Sequence, residues 1–600
     1  MKEKTLSNWL NILIIIGIIL CSSFYIFLIT IFPPTEPKYY TFANRIYVGY
    51  SSNIAIDPLD EPWNNPSRIA QHQVVEGLVD YNYSDHPNYD LIPKLAIKWH
   101  YHSSSEISFK LRENVWFHDG EKWNADVAIW NFERLMYFGN FTGELGFEDK
   151  SYSLEVLQTD FSFSNGTPLF SHFTKNSEYN FTIHLNGPFS PILDLLTSSA
   201  IYMLSPRSTP RYELLGLTDS LVGTGPFTFV RFEPDVDVRF EINPHYWGNA
   251  PWADELIFRI FEVTIERMNA GLVGQFDYID QVLKSYIPTY KSEPGFTVEE
   301  VGDDLLYYYL EFYSGPPYNS SSGELEPAIK GGKINQKLNS TWRKALSLAI
   351  NYTNIWENIT ISQGYPGCPA VSRSTSSFNS SLDGKMAHDF PFDGTFEGNI
   401  KKARELMQSM RYGIGWDTNF PGTNETEWMN ALFRELEANQ HYGSSINDKL
   451  NKLLEANWNL IGVNISIITR TWEEYLNTGE NIPWEMDVAY FAWYPTYLDA
   501  FNILDSLLNN VSIQDWIQNN DPMLQDALEN AAETTNTVAR QNIYKWIQSY
   551  IFDITRPENP SSYCQVPLWV YTIQQVHKTS LKGIGYNVLE MLDCWNWYRI

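Results

Sequence analysis

Apolar and polar residues alternate along one short segment of this chain, and the period then changes. From Ile107 to Leu111 every second residue is apolar, which is the pattern of a strand with one buried face. The pair Asp119-Gly120 is typical of a tight turn. Beyond it, apolar residues recur at helical spacing behind Asn124, a residue type that caps helix N-termini. The segment therefore predicts a strand, a turn and a helix.

The same two periodicities recur along the rest of the chain. Alternation and short apolar runs predict strands over residues 45–50, 181–185, 228–232, 236–242, 256–260, 305–312, 463–468 and 488–491. Helical spacing predicts helices over residues 69–77, 191–198, 264–272, 339–358, 401–410, 448–460, 472–476, 523–533 and 538–551. Residues 139–180 and 361–396 are rich in Ser, Asn, Gly and Pro and are predicted as loops. Because helices and strands alternate throughout, the predicted class is α/β.

An uncharged apolar run covers residues 10–32 and follows Lys2 and Lys4. It is long enough to span a bilayer, for which about 20 residues suffice. We expect an uncleaved signal anchor, with a cleaved signal peptide as the alternative. Residues 33–45 contain three prolines and are interpreted as a stiff tether. On this interpretation the protein is a single-pass membrane protein, and the rest of the chain lies on the extracytoplasmic side.

Composition narrows the classes of function. The formal net charge of −29 argues against binding to nucleic acid or to an anionic lipid surface, both of which require basic residues. The chain holds 21 Trp and 37 Tyr, which suit large cores and also ligand clefts. Asn-x-Ser/Thr sequences, which are glycosylated only outside the cytosol, occur at Asn82, Asn140, Asn165, Asn180, Asn319, Asn339, Asn351, Asn358, Asn379, Asn424, Asn464 and Asn510.

Cysteine and histidine spacing predicts no metal site. Cys564 and Cys594 are late in the chain and could pair in an oxidising compartment. No Cys/His spacing matches a zinc site. His100 and His102 share one face of a short strand pattern, but no further ligands accompany them.

The segment FKLRENVWFHDGEKWNADV, residues 109–127, resembles the signature of the family 5 extracellular solute-binding proteins, the peptide- and nickel-type receptors of ABC transporters. Further motifs similar to those of the family occur in the family's order. They are Asp57-Pro58, Gln73-Val-Val-Glu-Gly-Leu-Val79, Pro93-x-Leu95-Ala96-x-x-Trp99, Gly223-Thr-Gly-Pro-Phe227, Asn243-Pro-x-Tyr246-Trp247-Gly248, Trp342-Arg343-x-Ala345-Leu346-x-x-Ala349-Ile350 and Ile461-Gly462-Val463. Asn351 stands where the family usually has Asp.

The resemblance implies a two-lobed fold of the type II periplasmic-binding-protein kind, with an inserted subdomain in lobe one. Lobe one would comprise residues 46–300, with the insertion at about 66–200. Lobe two would comprise residues 301–560, and residues 561–600 would return to lobe one. A solute would bind between the lobes, which close around it.

The resemblance also suggests where the solute binds. In peptide-binding members, the stretch after a lobe-two strand carries a Trp and an Asp that holds the peptide amine. Here Trp493 matches the Trp, Thr496 stands at the position of the clamping Asp, and Asp499 could take its place. The complete expected set of ligand-binding residues is Trp493, Tyr494, Thr496, Tyr497, Asp499, Trp472, Ser51 and Asn53.

These residues lead to a receptor hypothesis. We expect a monomeric receptor of an ABC importer, which binds an oligopeptide and delivers it to permease subunits with their ATPases. No cofactor is expected. An oligosaccharide is the alternative solute. A membrane-anchored hydrolase is a second class of function, but the chain has no G-x-S-x-G, H-E-x-x-H or Walker motif.

Overall fold

The computed structural model describes residues 44–600 apart from short segments. The segments outside the description are 51–53, 61–63, 84–88, 144–153, 155–156, 159, 164, 313–317, 320–323, 326–328, 331–332, 335–339, 368–369, 383–394, 410–433, 442–444, 472–473, 476, 479–486, 510–520, 553–562 and 586–588. Residues 45–600 form one compact unit.

Strands and helices alternate along this unit, as the α/β prediction requires. The strands are β1 Arg45–Tyr50, β2 Val79–Tyr81, β3 Leu91–Pro93, β4 Ala96–Ser103, β5 Glu106–Leu111, β6 Phe170–Ser177, β7 Asn180–Leu185, β8 Phe227–Glu233, β9 Asp237–Ile242, β10 Glu255–Ile260, β11 Tyr278–Ile279, β12 Phe296–Asp303, β13 Tyr307–Phe312, β14 Tyr318–Asn319, β15 Glu324–Leu325, β16 Ile329–Lys330, β17 Lys333–Ile334, β18 Gly364–Pro366, β19 Arg434–His441, β20 Val463–Arg470, β21 Val488–Trp493, β22 Gln565–Lys578, β23 Leu581–Lys582 and β24 Tyr598–Arg599. The helices are α1 Asn65–His72, α2 Ala125–Phe138, α3 Ile192–Leu195, α4 Thr264–Leu272, α5 Ile287–Ser292, α6 Ser340–Leu348, α7 Tyr352–Asn354, α8 Phe396–Ser409, α9 Ser445–Asn459, α10 Phe501–Leu508, α11 Pro522–Glu533 and α12 Thr537–Ile551.

One large sheet runs through both lobes in the order β20-β19-β21-β13-β22-β11-β1-β10-β9-β8. In lobe one, β1 lies between β10 and β11 and is parallel to both. In lobe two, β19 is parallel to β20 and β21. Central parallel strands are buried on both faces, and Ile46 and Val48 of β1 are fully buried accordingly.

The long strand β22 connects the two halves of this sheet. Its first part pairs with β13 and β18 of lobe two, up to Tyr571. Its second part, from Thr572 onwards, pairs with β12 and β11 of lobe one. Residues 565–571 therefore pair with β13 and β18, and the partners of the strand change after Tyr571.

A separate four-stranded sheet, β4-β5-β7-β6, forms the centre of the inserted part of lobe one. The strand and helix predicted around residue 110 are confirmed as β5 and α2. The Asn124 side chain accepts hydrogen bonds from the backbone N–H groups of Asp126 and Val127, at 2.9 and 3.1 Å, and so caps α2. Phe109 packs on Phe181 of β7 with ring centroids 5.5 Å apart.

The family-type motifs meet at one buried carboxylate. Glu76 accepts hydrogen bonds from the Thr224 hydroxyl (2.8 Å), the Tyr246 hydroxyl (2.8 Å) and the Trp247 indole N–H (2.7 Å). The His118 backbone N–H donates to the carbonyl of Gly223 at 2.9 Å in the same region. The motifs therefore join the inserted sheet to lobe one.

Three local predictions are wrong in part. The single helix predicted over residues 339–358 is broken in the described residues into α6, α7 and a π-helix at Ile355–Ile359, because Asn351 caps α7 by accepting from the Asn354 N–H at 3.0 Å. The predicted loop at 139–180 contains β6, whose two phenylalanines, Phe170 and Phe173, pack on Phe132. The helix predicted over residues 69–77 starts at Asn65 and ends at His72.

The Cys564–Cys594 disulfide considered from the sequence is not formed. Both side chains are fully buried and both are free of disulfide bonds. Cys564 belongs to the core that runs through lobe two, whereas Cys594 packs in the core of lobe one. Two thiols in different cores do not meet the short Cα separation that a disulfide requires.

Candidate functional site

The segment from Trp493 to Asp499 lies where the two lobes meet. It begins at the last residue of β21 and leads into α10. Tyr494 and Leu498 pack against the lobe-one core, and Tyr497 is buried in the core that includes lobe two. Of the other expected ligand-binding residues, Ser51, Asn53 and Trp472 lie outside the described residues.

Direct contacts between the lobes surround this segment. The Tyr81 hydroxyl accepts from the Leu498 N–H (3.0 Å) and donates to Oδ1 of Asp194 (3.1 Å). Burial, and next the nearby Asp499, raise the pKa of Asp194 to about 7. The lobes are therefore in contact here, and an acid of lobe one faces an acid of lobe two.

Two further contacts join the same faces of the two lobes. The Ser190 N–H donates to the carbonyl of Ala532 at 2.7 Å. The rings of Phe189 and Phe501 meet edge to face at 5.6 Å. The junction therefore combines a directional hydrogen bond with an aromatic packing contact.

Asp499 is already paired within lobe two. Its Oδ2 accepts from Nε and Nη2 of Arg540 at 3.0 and 2.9 Å. Its Oδ1 accepts from the Phe501 N–H at 2.9 Å and from the Tyr544 hydroxyl. The side chains of Asp499 and Arg540 are only 8% and 6% exposed. A ligand ammonium would therefore meet a carboxylate whose charge Arg540 already neutralises.

The space beside Tyr497 and Asp499 is small. A cavity of about 20 Å³ is lined by these residues together with Ala370, Ser372 and Pro495. Such a volume holds about one water molecule. Trp493 differs from these two residues, because its buried indole N–H has no hydrogen-bond partner in the described structure. A buried donor of this kind is available to a ligand.

A group of aromatic side chains on three strands of lobe two was not identified from the sequence. Its members are Tyr308 of β13, Tyr490 of β21, and Trp569 and Tyr571 of β22. Tyr308 stacks on Trp569 at 4.9 Å with an interplanar angle of 18° and meets Tyr571 edge to face at 5.6 Å. The three tyrosines are half-buried.

Charged residues gather where the chain crosses between the lobes. Lys284 donates to the carbonyl of Thr572 and lies 5.6 Å above the Tyr571 ring. Glu590 accepts from the Asn65 amide at 2.6 Å. Burial, and next the nearby Asp304, raise the pKa of Glu590 to about 8. These residues were missed because isolated charges in an acidic chain form no sequence pattern.

The structure places the histidines that the sequence patterns contain. Within the described residues, no group of three or more His, Cys, Asp and Glu side chains is placed to hold a metal ion. The rings of His100 and His102 on β4 are exposed and lie 4.9 Å apart. The His118 ring bonds the carbonyl of Gly225 at 3.1 Å, and Asp119 accepts from the hydroxyls of Ser205 and Ser208. His118 and Asp119 thus hold a turn.

The model of the bacterial extracellular solute-binding proteins, family 5, middle region, matches residues 90–515. The chain belongs to this family. Heme-binding protein A of Haemophilus influenzae is 22% identical over 498 residues, which cover 80% of each chain. Di/tripeptide-binding protein 1 of Pseudomonas aeruginosa is 21% identical over 527 residues, which cover 84% of this chain and 86% of the relative.

Solved structures agree with the fold of this family 5 protein. The periplasmic binding protein DppA from Helicobacter pylori, in complex with the peptide STSA, superimposes with a TM-score of 0.64 at 20% identity. The match covers 92% of this chain and 97% of that one. The two-lobed α/β fold is thereby confirmed. The relatives are solute-binding proteins, which implies a binding protein here as well.

The N-terminal prediction is not tested by the structure. Across the described residues, which begin at Asn44, no helix has the length and apolar character needed to cross a membrane. The apolar run at residues 10–32 lies outside them, so the signal anchor stays a prediction.

Proposed function

We propose that this protein is the extracytoplasmic receptor of an ABC importer, and that it binds an oligopeptide-like solute between its lobes and delivers it to a permease. The observation that carries the proposal is the Trp493–Asp499 segment at the junction of the lobes, where Trp493 offers an unpartnered donor. The half-buried rings of Tyr308, Tyr490 and Tyr571 supply apolar surface for side chains.

In this proposal, the peptide amine is not held by an Asp at position 496, where peptide-binding members of the family have one. Thr496 has no charge, and Asp499 is paired with Arg540. A desolvated ammonium needs a compensating charge or several acceptors. Within the described residues, Glu590 and Asp304 are acidic groups near the crossing, but burial raises the pKa of both, so an ammonium bound there would have to displace a proton from one of them.

The apolar run at residues 10–32 supports tethering to the membrane, and the prolines at 33–45 support a spacer. The domain division remains part of the proposal, with lobe one at 46–300 and lobe two at 301–560. Fractionation of cells that express the full chain tests the tether. Recovery in the membrane fraction after a high-salt wash supports it, whereas release by salt or a shortened mature chain contradicts it.

Binding is tested by titrating the purified full chain with di- to pentapeptides and, in parallel, with oligosaccharides. We expect a peptide to raise the melting temperature and to reduce the radius of gyration in solution scattering, because ligand drives closure only by binding the closed form more tightly. Chromatography of the solute after incubation should recover it intact. If only oligosaccharides bind, the proposed solute class changes from a peptide to a sugar. If the protein converts any of these solutes into a product, the receptor function is overturned.

A further inference from the structure

Lobe one contains a cavity of about 410 Å³, and all the described residues that line it belong to this lobe. The cavity lies where the parallel strands β1 and β10 end, because Ile260 is the last residue of β10 and residues 54–56 follow β1. Its volume is within the range of small-molecule sites, roughly 300–1,000 Å³. In α/β sheets, ligands commonly bind beyond the carboxyl ends of the strands. The cavity therefore has the size and the position of a ligand site.

This cavity is distinct from the candidate site between the lobes. The Trp493–Asp499 segment contributes none of the described residues that line it. Tyr81 and Ser190, which form hydrogen bonds to lobe two, also lie outside its lining. A ligand in the cavity would therefore contact one lobe only, and its binding would not require the lobes to close.

A buried ion pair joins two walls of the cavity. The carboxylate of Asp57 accepts from Nη1 of Arg134 at 3.0 Å and from the Leu215 N–H at 2.8 Å. Arg134 also donates to the carbonyl of Glu213 at 2.9 Å. Asp57 thereby ties the segment after β1 to the loop that contains residues 215–217. Because the side chains of Asp57 and Arg134 are 0% and 1% exposed, these two walls are held in a fixed arrangement.

The lining of the cavity is mostly apolar and otherwise acidic. Aliphatic and aromatic side chains form its walls, among them Ile54, Ile56, Leu215, Phe232 and Ile260. Asp60 and Asp235 are its charged residues, and none of the described residues that line it is Lys, Arg or His. The walls therefore offer apolar surface, and the charges that accompany it are negative.

The hairpin between β8 and β9, which forms one edge of the cavity, is also acidic at its tip. Residues 231–237 contain one Arg and three acids. Arg231 contacts Glu233 and lies 2.9 Å from Asp237, so its charge is matched by acids other than Asp235. A negative field over an apolar wall attracts cations and repels anions.

We propose that this cavity is a second ligand site, separate from the site between the lobes, and that it binds a small organic cation with an apolar body. The cation would lie towards Asp60 and Asp235, and the apolar body would pack against the walls that include Ile56 and Phe232. This inference does not rest on the proposed function, because every described residue that it uses lies in lobe one.

The test titrates the full chain with three probes that share a phenyl ring, followed by ligand-observed NMR. Phenethylamine, 2-phenylethanol and phenylacetate carry a positive charge, no charge and a negative charge. Asp235→Asn removes one acid at a turn position with φ of 62°, which Asn also tolerates. Leu217→Lys places an ammonium at the cavity, at a residue that is 50% exposed. Glu241→Gln is the control, because Glu241 is an exposed acid of the same hairpin that does not line the cavity.

We expect phenethylamine to bind at least about fivefold more tightly than 2-phenylethanol, and phenylacetate to bind most weakly. Asp235→Asn should weaken binding of the amine by about two- to fivefold and leave the alcohol unchanged, as expected for an exposed charge pair. Leu217→Lys should weaken binding of the amine by at least about tenfold, because the new ammonium repels it. Glu241→Gln should match the wild type.

Solution scattering completes the test, since the radius of gyration should not change when phenethylamine binds at a site within one lobe. Equal affinity for the amine and the alcohol would overturn the preference for a cation. Unchanged binding of the amine by both Asp235→Asn and Leu217→Lys would show that it binds elsewhere, and a reduced radius of gyration would assign it to the site between the lobes. Failure of all three probes to bind would overturn the site, and each of these results would leave the proposed receptor function intact.

Discussion

Replacing Asp499 by Asn separates two roles that this residue could have. Asn is almost the same size and keeps an oxygen for the Phe501 N–H. It removes the negative charge that two nitrogens of Arg540 contact at 2.9 and 3.0 Å. Because both side chains are less than a tenth exposed, water cannot replace the lost charge. Leaving one member of a buried pair unpaired costs about 3–5 kcal/mol.

The free energy of unfolding is measured by urea titration of the wild type, Asp499→Asn, Arg540→Met and the double variant. We expect each single substitution to lose about 3–5 kcal/mol. The double variant should lose less than either single variant, because no buried charge remains, so the coupling energy should exceed either single loss and be at least about 3 kcal/mol. Stability of Asp499→Asn within about 1 kcal/mol of wild type, together with loss of peptide binding, would refute the structural role.

Three further predictions follow from the contacts around the lobes. Gly223→Ala should lower the free energy of unfolding by about 1–3 kcal/mol, because the added Cβ would lie 2.1 Å from the carbonyl oxygen of Val74. Gly585→Ala is the control: open space surrounds Gly585, so the same urea titration should show almost no change. The pKa of Asp194 is raised from 3.8 to about 7 in the folded state, so between these values the folded state holds a proton that the unfolded state releases. The free energy of unfolding should therefore fall by at most about 4 kcal/mol as pH rises from 4 to 7. Asp194→Asn should reduce that slope in melts recorded across this range, and an unchanged slope would contradict the assignment. Asn124→Ala should cost about 0.5–2 kcal/mol by removing the cap of α2, and equal stability would argue against capping.

Local periodicity predicted the elements whose apolar pattern is complete. The strand at Arg45–Tyr50 and the helix at Thr264–Leu272 have the bounds expected from the sequence. β6 was not predicted, because an edge strand needs only one apolar face and most of its residues are polar. The break before Asn351 was also missed, since the apolar stripe of α6 continues through Ile350 and conceals the second cap.

The candidate site could be located only approximately. The resemblance directed attention to Trp493–Asp499, and the structure brings that segment against lobe one. The partner of Asp499 is Arg540, which is 41 residues away and has no motif linking the two. The aromatic group combines residues of β13, β21 and β22, whose pairing depends on the tertiary fold. Such distant combinations leave no periodic trace in the sequence.

The shared strand β22 has a consequence for how the chain folds during synthesis. It is the last long strand of the sequence, and both halves of the large sheet pair with it. Neither half is complete until residue 578 has been made, which takes roughly 30–120 s at 5–20 residues per second. Domains generally fold in order as they emerge from the ribosome, but here the sheet of the N-terminal lobe lacks β22 until the C-terminal part of the chain has been made. The nascent polypeptide therefore stays incompletely folded for most of its translation, which is the state in which a chain can be threaded across a membrane before it folds.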